Sequence, residues 1–213
     1  MSKASDRLAL SYNMQKLVLA SASPVRQRLL QDAGIEIEVI QATVDEAAIR
    51  AALLQGNTTV EPCDVAEILA RAKAEDVALR RDTAHIVAAD QVLCCNGHLF
   101  EKPKDLGEAR HHLLALSGRV HTLHSAVVLA ANGQVVWSYA DTARLWVRSI
   151  SSEFVERYLA RVGARVFASV GCYELERDGA HLIEKIEGDY FTVLGLPMFP
   201  LLEALRSHNI IES

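Results

Sequence analysis

Asp90 closes the apolar run Ile86-Val87-Ala88-Ala89, and the segment Glu101-Lys102-Pro103-Lys104 follows it. A carboxylate at the exit of a buried strand costs free energy unless something pairs with it. The proline ring stiffens the Lys-Pro corner, so the ammonium of Lys102 stands at a fixed place. Carboxylate and ammonium brought to one cleft could serve a metal ion and a phosphate, which is the equipment of an enzyme.

Four further segments carry groups of the same kind. In LASASPVRQRLL a strand runs through a serine-rich turn into a helix N-terminus, where free backbone N–H groups and the helix dipole favour an anion. Ser21 and Ser23 add hydroxyls there, and Arg26 sits in the first turn, within reach of a phosphate oxygen. An ordinary N-cap with a solvated arginine gives the same pattern. Val44-Asp45-Glu46 places two carboxylates at a helix start, where the dipole alone would favour them. Lys73, in LARAKA, lies among alanines on the less polar side of a helix and reads equally as a snorkelling lysine. In GCYELERDGAHLIEK, Glu174, Glu176 and Glu184 alternate with apolar residues, as on the wet face of a strand.

Half of the 213 residues are hydrophobic, and they interleave with polar ones, so a substantial core is available. The net charge of −5 argues against general binding to nucleic-acid phosphates. No apolar stretch approaches the roughly 20 residues of a membrane span. MSKASDRLALSYNMQK lacks the apolar core and cleavage site of a signal peptide. The four cysteines form no C-x-x-C pair and read as buried free thiols in a reducing cytoplasm. The eight histidines show no zinc-ligand spacing, and His111-His112 diverge by about 100° on a helix.

The elements that must position these groups follow from periodicity and punctuation. Strands are predicted at 17–20, 35–40, 86–95, 121–131 and 134–147. Helices are predicted at 24–33 behind Ser23, 46–54, 64–81, 105–116 behind Asp105, 151–160 and 197–206. Asn96-Gly97 and Asn132-Gly133 mark tight hairpins. QGNTTVEP reads as a mobile turn, and 171–187 as irregular chain followed by a strand. The expected organisation is a weakly ordered lead-in at 1–15, one α/β domain with a mixed sheet at 16–207, and a tail at 208–213.

LASASPVRQRLL, VDE, LARAKA, AADQVL, EKPKD, LSGRVHT, GCYELE and IEGDYFTVLGLP, in that order, resemble the Maf proteins over nearly the whole chain. The resemblance implies a nucleoside triphosphate pyrophosphatase that cleaves between the α- and β-phosphates with Mg²⁺ or Mn²⁺. It implies an inosine-triphosphatase-like α/β fold, an elongated mixed sheet with two lobes around a central cleft, in a cytoplasmic homodimer without nucleic-acid or membrane partners. It assigns Ser21, Ser23 and Arg26 to phosphate binding and Glu46, Lys73, Asp90 and Lys102 to the catalytic positions. Asp90 and Glu46 are the expected metal ligands, and Asp90 is alternatively the base that deprotonates water.

Two departures bear on activity. Val25 stands where the family turn usually carries its first arginine, and Arg28 points elsewhere on the helix. Asp90-Gln91 and Glu176 replace the Asp-Thr and Gln of relatives acting on dTTP and UTP, and resemble the 7-methyl-GTP subgroup. A carboxylate only accepts hydrogen bonds, so Glu176 suits the N1–H and N2–H₂ donors of guanine. The alternative is a catalytically weak, nucleotide-binding regulator of cell division.

Overall fold

The computed structural model describes residues 17–55, 60–81 and 84–212. The expected lead-in and the centre of the turn-rich QGNTTVEP segment lie outside these residues.

The chain alternates strands and helices: β1 (Leu17–Leu19), α1 (Pro24–Asp32), β2 (Ile37–Val39), α2 (Glu46–Gln55), α3 (Pro62–Ala78), β3 (Ile86–Cys95) and β4 (His98–Phe100). There follow α4 (Leu106–Leu116), β5 (Val120–Ala131), β6 (Gln134–Val147), α5 (Ser152–Val162), β7 (Ile183–Glu187), α6 (Tyr190–Val193) and α7 (Met198–Ser207). One mixed sheet runs β2-β1-β3-β5-β6-β7, with β4 folded back on the end of β3. β1 lies parallel to β2 and β3, whereas β3, β5, β6 and β7 pair antiparallel.

Local chemistry sets most boundaries. Ser23 Oγ accepts from the Arg26 N–H, Pro24 occupies the first turn, and Gly34 at φ +77° closes α1. Asp105 and Ser151 cap α4 and α5 in the same way. Asn96-Gly97 and Asn132-Gly133 all have positive φ, the backbone of a two-residue hairpin turn whose twist matches its strands.

Three expectations need correction. Asp90 is not at the exit of a strand. It lies in the middle of ten-residue β3, because the chain stays paired to β5 on both sides of it, with Asp90 opposite Ala126. Glu174 and Glu176 are in no strand: that chain is irregular, and a 3-10 turn at Asp178–Leu182 precedes β7. The thiols are free, but only Cys95 and Cys172 are buried, while Cys63 and Cys94 are half-buried.

β3 feeds three apolar clusters. Ile86, Ala88 and Val92 pack with α3; Val87 and Ala89 pack with α1 and α7; Leu93 and Cys95 pack with α4 and α5. Full burial of a side chain such as Leu69, Leu129 or Leu196 stabilises the fold by about 2 kcal/mol. Asp90 and Gln91 fall where β3 passes from the first two clusters to the third, so the polar centre is framed by packed apolar layers. After α7, Ile210 donates to the Leu205 carbonyl, and with Ile211 it lies against the cluster of α1 and α7. No helix among the described residues is long and apolar enough to cross a membrane.

Candidate active site

Successive residues of a strand face opposite sides of the sheet. Asp90 therefore turns to the side of α3, and Gln91 to the side of α6. Both reach the walls of a single cleft of about 410 Å³, within the usual range of small-molecule sites.

On the α3 side, charges crowd together. Lys73 donates to Asp90 Oδ1 and lies 2.8 Å from Glu46 Oε1. Arg50 sits 3.1 Å from Glu46 Oε2 and 3.8 Å from both Asp90 Oδ2 and Glu101 Oε1. The Lys73 and Asp90 side chains are only 11% and 6% exposed, so the snorkelling reading of Lys73 is replaced by an interior ion pair. Asp90 Oδ2 is buried with no hydrogen-bond partner among the described residues. Burial alone would raise the Glu46 carboxyl, but Lys73 and Arg50 outweigh it and hold the group below its ordinary range. The two neighbouring acids at the start of α2 divide their tasks. Asp45 caps the helix through the Ala48 N–H, which frees Glu46 to turn into the cleft.

The phosphate turn supplies one cation from behind. Arg26 is buried; its Nε donates to the Gly195 carbonyl at 2.7 Å and its Nη1 to Ser21 Oγ at 3.2 Å. Desolvation lowers its pKa, while the Asp90 and Glu46 charges act against that. Ser23, Val25 and Arg26 line the cleft. Ser21 lies one layer back, where it holds Arg26 and accepts from the Ser23 N–H. Gly195, at φ +90°, lets the guanidinium pass: a Cβ there would stand 3.2 Å from Nη2. Lys102 stands at the mouth of the cleft behind buried Pro103, and its pKa is lowered by desolvation and by the Arg26 charge.

The α6 side is neutral. Gln91 Nε2 donates to Ser125 Oγ and to the carbonyls of Val193 and Thr192, at 2.9, 3.0 and 3.1 Å. Further along the cleft, Glu176 is 16% exposed and paired at 2.8 Å with Arg28. Arg28 thus serves Glu176 and does not replace the arginine absent at Val25.

Of the residues that the family resemblance assigned to the site, all except Ser21 meet on this one cleft, whereas Asp45, Arg28 and Glu184 do not line it. Sequence reasoning passed over Arg50, although its i+4 spacing from Glu46 puts both on one helix face. Ser125, Thr192 and Asp141 carry no local signal, because only sheet pairing and the docking of α6 bring them to Gln91.

Fold and cleft together define an α/β protein with a polar pocket for an anionic, partly aromatic ligand. Comparison with known proteins narrows this class. A family model described as Maf-like protein matches residues 16–208, and the chain belongs to the Maf family. It is 47% identical over 197 residues to a 7-methyl-GTP pyrophosphatase of Rhizobium meliloti, covering 92% of this chain and 98% of that protein. It is 45% identical to the 7-methyl-GTP pyrophosphatase of Brucella abortus, again over 92% and 98%. A nucleoside triphosphate pyrophosphatase of Caulobacter vibrioides is 44% identical, over 93% of this chain and 98% of its own length.

Proposed function

We propose that this protein hydrolyses the α–β phosphoanhydride of a nucleoside triphosphate, giving the monophosphate and pyrophosphate, with 7-methyl-GTP or a related modified purine nucleotide preferred. The observation that carries the reading is the convergence of Lys73, Lys102, Arg26 and Arg50 with Glu46 and Asp90 on one nucleotide-sized cleft. Two relatives of nearly full length bear the name 7-methyl-GTP pyrophosphatase.

A triphosphate carries close to four negative charges, which the four cations, partly offset by Glu46 and Asp90, would balance together with a metal ion in a partly desolvated site. Arg26, held from behind, offers Nη2 to a phosphate oxygen. Lys102 closes over the phosphates from the mouth. Attack of water on the α-phosphorus forms one P–O bond and breaks the bond to the β-phosphate oxygen. Pyrophosphate departs, and the proton of the water passes to a carboxylate. Catalysis here is positioning and charge stabilisation more than covalent chemistry.

The residues fit a divalent metal of the Mg²⁺ type. Asp90 Oδ2 is a buried oxygen without a partner, and Glu46 lies on the same lysine. Among the described residues no three protein ligands gather, which accords with an ion that takes most of its oxygens from phosphates and water. Asp90 and Glu46 would hold it, and when bound it would neutralise phosphate charge and acidify water.

The test is a panel of 7-methyl-GTP, GTP, UTP and dTTP with Mg²⁺ or Mn²⁺, read by pyrophosphate release. Metal-dependent release with the methylated purine ahead supports the proposal. Tight binding without turnover would establish the regulator instead, and a clear pyrimidine preference would overturn the base assignment.

A further inference from the structure

The Gln91 amide is held by its donor end. An amide nitrogen has two hydrogens, and here three acceptors surround it: two backbone carbonyls and Ser125 Oγ. Ser125 cannot take the other role, because its own hydrogen goes to the Thr192 carbonyl at 2.7 Å. Rotating the amide by 180° would set Oε1 against two carbonyl oxygens, with no donor left to meet it. The Thr192 carbonyl is in turn fixed from both sides. Its N–H donates to Asp189 Oδ1 at 3.0 Å, and its Oγ1 donates to Asp141 Oδ2 at 2.7 Å. Ser125 and Thr192 are fully buried. Gln91 Oε1 receives no hydrogen bond from any described residue and belongs to a side chain on the cleft wall.

We infer that Ser125, Thr192 and Asp141 are positioning residues for nucleotide selection, locking Gln91 so that it offers the ligand an acceptor and never a donor. This rests on the pyrophosphatase reading and deepens it. A locked acceptor cannot bind phosphate oxygens, which are themselves acceptors, so Gln91 addresses a donor on the nucleoside. Glu176, also acceptor-only, lies on the same cleft. Two acceptors match a purine edge bearing N1–H and N2–H₂, and 7-methylation, by placing positive charge on the ring, strengthens both donors. Adenine, with an unprotonated N1, meets the same wall acceptor to acceptor.

The experiment compares kcat/KM for GTP, dGTP, ITP and ATP by pyrophosphate release in the wild type, Thr192→Val, Ser125→Ala and Thr192→Ser. In the wild type GTP exceeds ITP, which lacks the 2-amino donor, and exceeds ATP by about tenfold or more, the scale of an unmet buried acceptor. dGTP equals GTP. Ser125→Ala removes one acceptor and a donor to the Thr192 carbonyl, and Thr192→Val removes the hydroxyl that anchors that residue to Asp141. Both loosen the hold on the amide, and the GTP-to-ATP ratio falls severalfold. Thr192→Ser, which keeps the hydroxyl, restores it. A uniform loss on all nucleotides with the ratio unchanged makes these residues structural only and overturns the inference. So does a wild type that prefers ATP, or one in which dGTP falls while ITP does not. If Thr192→Val fails to fold, Ser125→Ala carries the test of the lock, and the wild-type comparison tests the acceptor wall. Absence of turnover on every nucleotide would instead sink the pyrophosphatase reading.

Discussion

Asp90 and Gln91 are neighbours in β3, yet they face two opposite designs. On the Asp90 side, Lys73, Arg50, Glu46 and Glu101 form a charged cluster that leaves Asp90 Oδ2 without a hydrogen bond. On the Gln91 side, every bond is neutral or ends on a charge that is already capped, and the donors are all used. The comparison separates two tasks. Reactivity needs charge that is held but not fully satisfied, whereas selectivity needs a polar edge with a single available orientation.

Removing the charge proposed to act in the reaction is the strongest way to break this contrast. Asp90→Asn keeps the shape of the side chain but removes its charge, and pyrophosphate release falls by about 10³-fold. Circular dichroism and melting checks that the fold persists. If activity survives within tenfold, the charged side is structural and the contrast collapses.

Next in size is the ion pair itself. Lys73→Met leaves buried Asp90 with only the more distant Arg50, 3.8 Å away, at a cost of about 3 kcal/mol in urea unfolding. Adding Asp90→Asn recovers much of that loss. Additive effects of the two substitutions would show that the pair is not coupled.

Proton linkage sharpens the comparison, because each face of the sheet carries a titrating group, His121 on the face of Gln91 and Glu46 on that of Asp90. His121, fully buried with Nδ1 unpartnered and Nε2 2.7 Å from the Tyr173 hydroxyl, has its pKa pushed down to about 4 by desolvation. The unfolded chain takes up the proton near 6.5 and the folded protein does not. Stability present above pH 6.5 is therefore lost as pH falls towards 4, by about 3 kcal/mol. His121→Gln flattens that slope in melting temperature against pH.

Glu46 gives the smallest signal. Its folded pKa lies below the unfolded value, so its contribution is complete above that value and disappears as pH falls through the folded one. Glu46→Gln softens only this acid limb, below the window of His121. A change confined to neutral pH would contradict the assignment.

Much of this architecture was legible along the chain. Ser23-Pro24, Asp105 and Ser151 announce helix starts because capping is a contact between residues three apart. The two Asn-Gly pairs announce hairpins because only positive φ closes a two-residue turn. Three-residue β2 and four-residue α6 were harder, since so short a segment is defined by what it pairs with or docks against. Asp90 was placed wrongly along its strand: an apolar run broken by a carboxylate looks like a strand ending, unless the pairing beyond it is known.

What the sequence determined by itself was most of the candidate side chains and the local geometry around each, because caps, turns and helix faces depend on residues a few positions apart. Only the tertiary structure decided that Ser21 stands behind Arg26, that Arg28 goes to Glu176, and that Ser125, Thr192 and Asp141 lock Gln91. Those contacts join residues far apart in the chain, apart from the short reach of Ser21 to Arg26. Long-range contacts of this kind form only when the sheet has chosen its strand order and the helices have docked, and no local periodicity encodes that choice.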